Sequence, residues 1–191
     1  RLREICCDPR LVADNWTGSS AKLEACLELV TEAVAGGHRI LLFSQFTSML
    51  ELLAKRLDEA GVSHFTLQGS TPKPVRAEQV RRFNQGEADV FLISLRAGGT
   101  GLNLTAADIV IHYDPWWNLA AQNQATDRAY RIGQRNPVQV YRLIAQDTIE
   151  EKIVELQQAK QSLADTVTGG ADGAILSMNP EQLLQLLGEE A

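Results

Sequence analysis

Apolar residues along this chain form two kinds of block that alternate. From Lys22 to Val34 they recur at helical spacing and stop at Gly36-Gly37, whereas residues 39–43 are apolar after Arg39, which is typical of a buried strand. The same pattern predicts further helices at 48–59, 74–84 and 148–160, and further strands at 63–67, 89–93, 108–112 and 138–144. Apolar strands separated by helix-length crossovers favour an α/β fold with a parallel sheet covered on both faces.

The C-terminal residues leave this pattern. Residues 162–180 contain Gly169-Gly170 and Asp172-Gly173, which predict a linker. Asn179-Pro180-Glu181 then suits the start of a short amphipathic helix that reaches Leu187. We therefore predict one domain over residues 1–161 and a tail over 162–191, with docking of the helix on the domain favoured over binding of another partner.

A helix predicted around residues 124–134 would place two arginines on one face. Residues three and four apart share a face, so Gln124, Arg128 and Arg131 project together. Guanidinium groups fork onto phosphate oxygens, so a rigid pair beside a glycine turn suits a transferring phosphoryl group. The alternative is an exposed helix with an Asp127–Arg131 ion pair worth only ~0.3 to 0.5 kcal/mol.

Two loops precede these arginines, each after a predicted strand. Residues 94–104 contain glycines at 98, 99 and 101 that let the backbone approach a ligand closely, although a plain tight turn explains them as well. The strand at 109–112 ends in a polar, aromatic loop that includes Trp116 and Trp117. Ligands of open parallel sheets gather at the carboxyl ends of the strands, where this reading places Ser44, Gly69, Ser94 and Asp114.

In this order, the segments resemble motifs of the Swi/Snf-type ATPases, a branch of helicase superfamily two. Residues 94–104 resemble motif five, 114–118 the Trp-Asn element and 124–134 motif six. The resemblance covers roughly residues 1–160, because it also includes 2–9, 20–23, 40–46, 138–144 and 148–151. It implies a RecA-like three-layer sandwich, the second lobe of a two-lobed motor, with residues 1–18 as a lead-in segment from the first lobe.

The chain departs from the family pattern at two places. Leu119 stands where the family usually has proline after the Trp-Asn pair. Proline suits the first turn of a helix, so its absence should soften the start of the helix without removing a ligand contact. Cys7-Asp8 stands where Asn-His is common, which affects the packing of the lead-in segment.

For ATP, the resemblance implies that this chain is half of an enzyme. The sequence has no Gly-x-x-x-x-Gly-Lys-Ser/Thr loop and no Asp-Glu pair after an apolar strand. The family assigns ATP and Mg²⁺ mainly to a first lobe, and Arg128 and Arg131 to the second lobe as arginine fingers, which are worth ~10³ to 10⁵ in rate in related systems. The matching nucleotide-side positions are Gly99, Gly101, Asn103 at the ribose, and Gln124.

For DNA, the resemblance implies contacts with the backbone of a duplex. The matching positions are Ser44, Gln45, Gly69, Ser70, Thr71, Arg76, Ser94, Thr100 and Trp117. Hydroxyls, backbone amides and one arginine suffice to hold phosphates, and none of them reads bases. Packing at the edge of the core is the alternative for the tryptophans, and is favoured for Trp116.

The net charge of −6 is not spread evenly. Residues 146–191 carry nine acids and two bases, whereas residues 1–145 carry fifteen acids and sixteen bases. The acidity therefore belongs to the tail, and Lys73, Arg76, Arg81 and Arg82 remain able to neutralise phosphates. A solvated helix face explains the last two equally well.

Composition fits one lobe of a soluble protein. The chain is 45% apolar, has no run long enough to span a bilayer, and has no secretory signal. Its three cysteines lack paired metal spacing, which favours reduced thiols and no metal site. We expect a monomer that works with double-stranded DNA and an N-terminal RecA-like lobe, in the bacterial cytoplasm at the nucleoid or in a eukaryotic nucleus.

Two other classes of function stay open at this point. A helicase of the same superfamily would separate strands instead of moving along a duplex, although the Trp-Asn element and the ending of motif six favour the Swi/Snf branch. A non-catalytic interaction module would keep the fold and lose the chemistry. Both arginines and the glycine-rich loop are present, which argues against such a module.

Overall fold

Helices and strands alternate along the chain in this computed structural model, which describes residues 1–13, 15–98, 102–127 and 137–168. The strands are β1 Ile40–Ser44, β2 His64–Leu67, β3 Val90–Ser94, β4 Ile109–His112 and β5 Gln139–Arg142. The helices are α1 Leu2–Cys7, α2 Ala21–Ala35, α3 Thr47–Glu59, α4 Lys73–Asn84, α5 Leu95–Gly98, α6 Leu119–Thr126 and α7 Ile149–Thr168, with a 3₁₀ turn at Pro9–Leu11.

The five strands form one parallel sheet in the order β2-β3-β1-β4-β5. At its centre, Leu42 of β1 lies opposite Leu92 of β3 and Ile111 of β4. All carboxyl ends therefore lie at the same edge of the sheet. The predicted parallel sheet is confirmed.

Two apolar clusters cover the two faces of this sheet. Leu42 packs in one cluster with residues of α2 and α3, and its neighbour Leu41 packs in the other with residues of α4, α5 and α6. Successive strand residues point to opposite faces, so a strand that feeds two clusters must be apolar throughout. All five residues of β1 and of β3 are buried, which confirms the predicted three layers.

Turn residues end the first helices where the sequence predicts. Gly37 and Gly61 follow α2 and α3 with φ of 80° and 68°, a conformation that other residues adopt only with strain. Ser20 begins α2, because its hydroxyl accepts a hydrogen bond from the Leu23 amide at 3.4 Å.

One element differs from the prediction. The glycine-rich loop after β3 opens with a helical turn, α5, which is capped by a 3.3 Å hydrogen bond from the Ala97 amide to the Ser94 hydroxyl. The helix before the arginines begins at Leu119 and has Asp127 as its C-cap. This start agrees with the position of Leu119 after the Trp-Asn pair, and the Asn118 carboxamide caps the helix by accepting from the Ala121 amide at 3.2 Å.

The chain divides into two compact units, Arg1–Val154 and Glu155–Ala191. Helix α7 continues to Thr168, so the first residues of the predicted linker are helical; they contain no glycine or proline before Gly169. The domain boundary after residue 161 stays a prediction, and the tail helix at 179–187 lies outside the described residues. No helix in the described part is long and apolar enough to cross a membrane.

A buried ion pair joins the beginning and the end of the first unit. Lys22 Nζ of α2 lies 2.6 Å from the Glu150 carboxylate at the start of α7, and the two side chains are 8% and 1% exposed. Glu150 also accepts a hydrogen bond from the Ala145 amide at 2.8 Å. A buried charge that loses its partner is costly, so each of these residues depends on the other.

We expect Lys22→Met alone to lower the free energy of unfolding by ~3 to 5 kcal/mol, because it leaves the Glu150 carboxylate buried and unpaired. Adding Glu150→Met should recover most of that loss. Urea denaturation of the three proteins measures both effects. Arg56→Met is the control: it breaks an exposed pair with Glu59 and should cost less than ~1 kcal/mol. Equal losses from Lys22→Met and Arg56→Met would contradict the prediction.

Candidate functional site

An open groove of about 670 Å³ runs along the carboxyl ends of the strands. Its walls come from the loops after β1, β2, β3 and β4 and from one residue of α1. The lining residues are Glu4, Gln45, Phe46, Thr47, Ser48, Gln68, Gly69, Ser70, Ser94, Leu95 and Trp116. Four positions predicted to contact DNA, those at 45, 69, 70 and 94, thus lie around one groove.

The loops after β1 and β4 are joined by a buried carboxylate, Asp114. It is 1% exposed and accepts a 2.5 Å hydrogen bond from the Ser44 hydroxyl. The Gln45 backbone amide donates to both of its oxygens at 3.3 Å, and the Gln45 carboxamide donates to one of them. Burial raises the pKa of Asp114, whereas these hydrogen bonds and the nearby charge of Lys22 oppose the rise.

Ser44 is predicted to contact DNA, but its side chain is fully buried. Its hydroxyl donates to Asp114 and accepts from the Phe46 amide at 3.1 Å. The hydroxyl is therefore engaged inside the protein, and a DNA contact at this position stays a prediction. Sequence reasoning placed Asp114 at the sheet edge and missed this role, although an acid two residues after a buried strand and directly before proline was a usable signal.

The two tryptophans after Asp114 have different surroundings. Trp116 packs against the core cluster beneath α6, and its amide donates to the Gln122 carboxamide at 3.2 Å. Trp117 is 45% exposed, and the Arg3 guanidinium lies 5.8 Å from its ring centre. The packing interpretation of Trp116 thus agrees with the structure, and Trp117 is accessible to a ligand.

Helix α6 is fixed to the sheet near its C-terminus. His112, at the end of β4, stacks on Phe43 with ring centres 5.5 Å apart, and its Nε2 lies 2.8 Å from the Thr126 hydroxyl. Burial, with a smaller effect of Arg142, lowers the pKa of His112 to about 4. A neutral imidazole therefore anchors the helix residue that lies two positions before Arg128.

The loop after β2 presents a hydrogen-bonded turn to the groove. The Gln68 amide donates to the Thr71 hydroxyl at 3.0 Å, and the Thr71 amide donates to the Gln68 carbonyl at 3.1 Å. Between them, Gly69 and Ser70 are exposed. A Cβ atom at Gly69 would meet nothing within 4 Å, so this backbone is open to an approaching group. Arg76 follows in α4 and is half-buried.

Arg81 and Arg82 fit the solvated-face interpretation. The Arg81 guanidinium lies 2.6 Å from Glu78, and Arg82 lies 2.7 Å from Glu87 and 5.0 Å from the Phe65 ring centre. Both charges are already compensated by an acid of the same lobe.

On the nucleotide side, the structure describes two of the predicted residues. Asn103 and Gln124 are exposed, and the Asn103 carbonyl accepts from the Asn84 carboxamide at 2.8 Å. The other predicted nucleotide-side residues lie outside the described residues: Gly99, Gly101, Arg128 and Arg131. The same holds for Thr100, a predicted DNA contact. Across the described ranges, no cluster of three or more histidine, cysteine or acidic side chains could hold a metal ion.

With this geometry in place, comparison with known proteins decides the family. The helicase conserved C-terminal domain matches residues 21–133. The chain belongs to this family. An all-parallel sheet with its polar groove at the carboxyl edge is the RecA-like architecture that the sequence predicts.

The relatives and a solved structure are of the predicted type. An uncharacterized ATP-dependent helicase of Mycoplasma pneumoniae is 41% identical over 97% of this chain, and the chromatin-remodeling ATPase INO80 of Aspergillus terreus is 46% identical over 87%. The crystal structure of the C-terminal part of the Fun30 ATPase domain is similar with a TM-score of 0.70 and 33% identity, over 81% of this chain and 52% of that one. The resemblance to Swi/Snf-type ATPases is confirmed.

This chain spans only part of its relatives. It covers 18% of the Mycoplasma protein and 10% of the Aspergillus protein. The homology therefore concerns the helicase C-terminal lobe.

We expect the free energy of unfolding to fall as the pH drops from 6.5 towards 4, because His112 then takes up a proton in the unfolded chain but stays neutral in the folded protein. Above pH 6.5 the imidazole is neutral in both states, so this loss is absent. The loss should reach ~3 kcal/mol relative to His112→Phe, whose stability lacks this dependence. Chemical denaturation of both proteins between pH 7 and pH 4 measures the difference. The pKa shifts of Asp8 and Asp114 occur in both proteins, so their effects cancel in the difference. Parallel stability curves would rule out a buried neutral His112.

Proposed function

We propose that this chain is the second motor lobe of a Swi/Snf-type double-stranded-DNA translocase or remodelling ATPase. Membership of the helicase C-terminal family, with relatives named ATP-dependent helicase and chromatin-remodeling ATPase, carries the proposal. The lobe is inactive alone and acts together with an N-terminal RecA-like lobe of the same protein, which is a monomer. Its location is that of its DNA, which is the nucleoid in bacteria or the nucleus in eukaryotes.

In this proposal Arg128 and Arg131 are arginine fingers. They reach ATP whose phosphates and Mg²⁺ are held mainly by the first lobe, and they stabilise the charge that spreads over the transferring phosphoryl group. Gln124, Asn103, Gly99 and Gly101 complete the second lobe's side of the nucleotide site. The anchoring of α6 at Trp116 and His112 supports this role, since a finger is effective only when its base is rigid.

The DNA contacts are proposed for the groove at the carboxyl edge of the sheet. Gln45, Gly69, Ser70 and Ser94 line it, and Ser44, Thr71, Arg76, Thr100 and Trp117 complete the set. Neutral hydroxyls, amides and an open glycine backbone suit phosphate oxygens and carry no base information. Such a surface holds any sequence, as a motor that moves along DNA requires.

Strand separation is the second candidate activity, because three of the relatives carry the name helicase. Displacement of a third strand from a triplex reports movement along an intact duplex, whereas release of a labelled strand from a forked duplex reports unwinding. We expect triplex displacement without strand release.

We expect residues 1–191 alone to show no appreciable ATP hydrolysis, and a protein that joins them to a cognate first lobe to hydrolyse ATP with stimulation by DNA.

In the joined protein, Arg128→Ala or Arg131→Ala should lower kcat by ~10³-fold or more and leave most ATP affinity intact, because the charge is needed chiefly in the transition state. Steady-state hydrolysis and nucleotide titration measure the two effects.

Arg81→Ala is the matched control. It removes an arginine whose ion pair with Glu78 is exposed, so the substitution should leave turnover unchanged. Robust hydrolysis by the 191-residue chain would end the half-enzyme proposal. Near-normal turnover in both finger variants would contradict the finger role and favour the alternative, in which Arg128 and Arg131 belong to a solvated helix face.

Trp117→Ala in the joined protein should reduce DNA-stimulated turnover and translocation far more than basal hydrolysis. Its side chain is 45% exposed, so its truncation should cost much less stability than the ~3 to 5 kcal/mol of a buried aromatic. Trp116→Ala is the control: it removes a core contact and should lower the melting temperature and depress both rates together. Unchanged stimulation in Trp117→Ala with a lowered melting temperature would refute the coupling role.

A further inference from the structure

Arg3 of helix α1 occupies a central position beside the tryptophan loop, which we define as residues 115–117. Its Nη2 donates a 2.6 Å hydrogen bond to the Pro115 carbonyl. Its guanidinium carbon lies 5.9 Å from the ring centre of Phe46 and 5.8 Å from that of Trp117. One side chain therefore contacts the loop after β1, the backbone after β4 and the exposed tryptophan.

The tryptophan loop is held from two sides. Gln45, which binds Asp114, also donates to the Pro115 carbonyl at 3.3 Å, and Arg3 donates to the same oxygen. Gln45 belongs to the sheet edge, whereas Arg3 belongs to the lead-in segment. The carbonyl thus joins the core of the lobe to a segment outside the sheet.

Helix α1 is itself attached to the same end of β4. The Tyr113 hydroxyl donates to the Cys7 carbonyl at 2.9 Å, and the buried Asp8 beyond the helix is paired with Arg10 at 2.7 Å. Displacement of α1 relative to the sheet would disturb both the Tyr113–Cys7 hydrogen bond and the contacts of Arg3. The lead-in segment and the tryptophan loop are therefore coupled mechanically by named contacts.

Only arginine suits this position. Its planar guanidinium can donate hydrogen bonds within its plane while its charge acts on nearby aromatic rings, whose centres lie 5.9 Å and 5.8 Å from the guanidinium carbon here. A lysine ammonium keeps the charge and lacks the fork and the flat face. The contact should therefore depend on the shape of the side chain as well as on its charge.

We propose that Arg3 is a positioning residue that fixes the orientation of Trp117 and transmits movement of the lead-in segment to it. The effect on DNA-stimulated turnover rests on the function proposed above for Trp117. The effect on the orientation of Trp117 does not, because it is a property of the free lobe.

The first measurement is quenching of tryptophan fluorescence by acrylamide, a neutral quencher, in the 191-residue chain, in a Trp16→Phe background that leaves Trp116 and Trp117. Arg3→Ala should raise the quenching constant by about twofold, since one cation–π contact at an exposed site shifts populations by that order. Further replacement by Trp117→Phe should abolish the difference. An unchanged quenching constant in Arg3→Ala overturns the proposal, whatever the motor does.

The second measurement is the ratio of DNA-stimulated to basal hydrolysis in the protein that includes the first lobe. Arg3→Ala should lower the ratio about three- to tenfold with basal turnover unchanged, a size typical of residues that couple two sites. Arg3→Lys should recover less than half of the loss. Full recovery would mean that charge alone matters and would overturn the positioning role.

Arg10→Ala separates positioning from loosening of the lead-in segment. Arg10 pairs with Asp8 inside the lead-in segment, so this variant should lower the melting temperature without changing the quenching constant. The same quenching change in Arg10→Ala would overturn the proposal. If the unmutated motor shows no DNA stimulation while Arg3→Ala still changes quenching, the proposed function fails and the positioning of Trp117 by Arg3 stands.

Discussion

The buried carboxylate of Asp114 is the constraint on which the edge of the sheet depends. A carboxylate at 1% exposure must find donors inside the protein, and it finds them on Ser44 and Gln45 of the neighbouring strand and loop. This requirement fixes the orientation of each donor group. The hydroxyl turns inward, and the Gln45 carboxamide turns towards Asp114 and Pro115. The first carbonyl of the tryptophan loop, that of Pro115, is thereby held from the side of the sheet.

Buried and exposed charges contribute differently to this lobe. Arg81 and Glu78 approach as closely as Lys22 and Glu150, at 2.6 Å, yet the first pair is half exposed and the second is almost sealed. Exposed pairs are worth less than ~1 kcal/mol, whereas breaking a sealed pair costs several. The sealed pair and Asp114 both lie at the end of the sheet that carries the groove, where the Lys22 charge also acts on the pKa of Asp114. Loop order there therefore depends on burial more than on the number of ion pairs.

The sequence predicted the sheet far better than the site. Strands β1, β3 and β4 are buried on both faces, so their apolar runs predicted them to within a residue. Strand β5 is an edge strand with exposed residues, and only four of the seven predicted residues pair. The roles of Asp114, Arg3 and Lys22 were missed because their partners lie 70, 112 and 128 residues away along the chain. Periodicity and spacing are local signals and contain no such information.

One short helix, α6, lies along the chain between Trp117, the proposed DNA contact, and the proposed arginine fingers. Helix α6 has eight residues, which span ~12 Å, and joins the tryptophan loop to the residue before Arg128. It is capped by Asn118 at one end and held by His112 through Thr126 at the other. A helix fixed at both ends transmits displacement as a rigid body, whereas a free one would absorb it by fraying. Under the proposed function, a shift of Trp117 on DNA would therefore be passed along α6 as far as Asp127, the residue before Arg128.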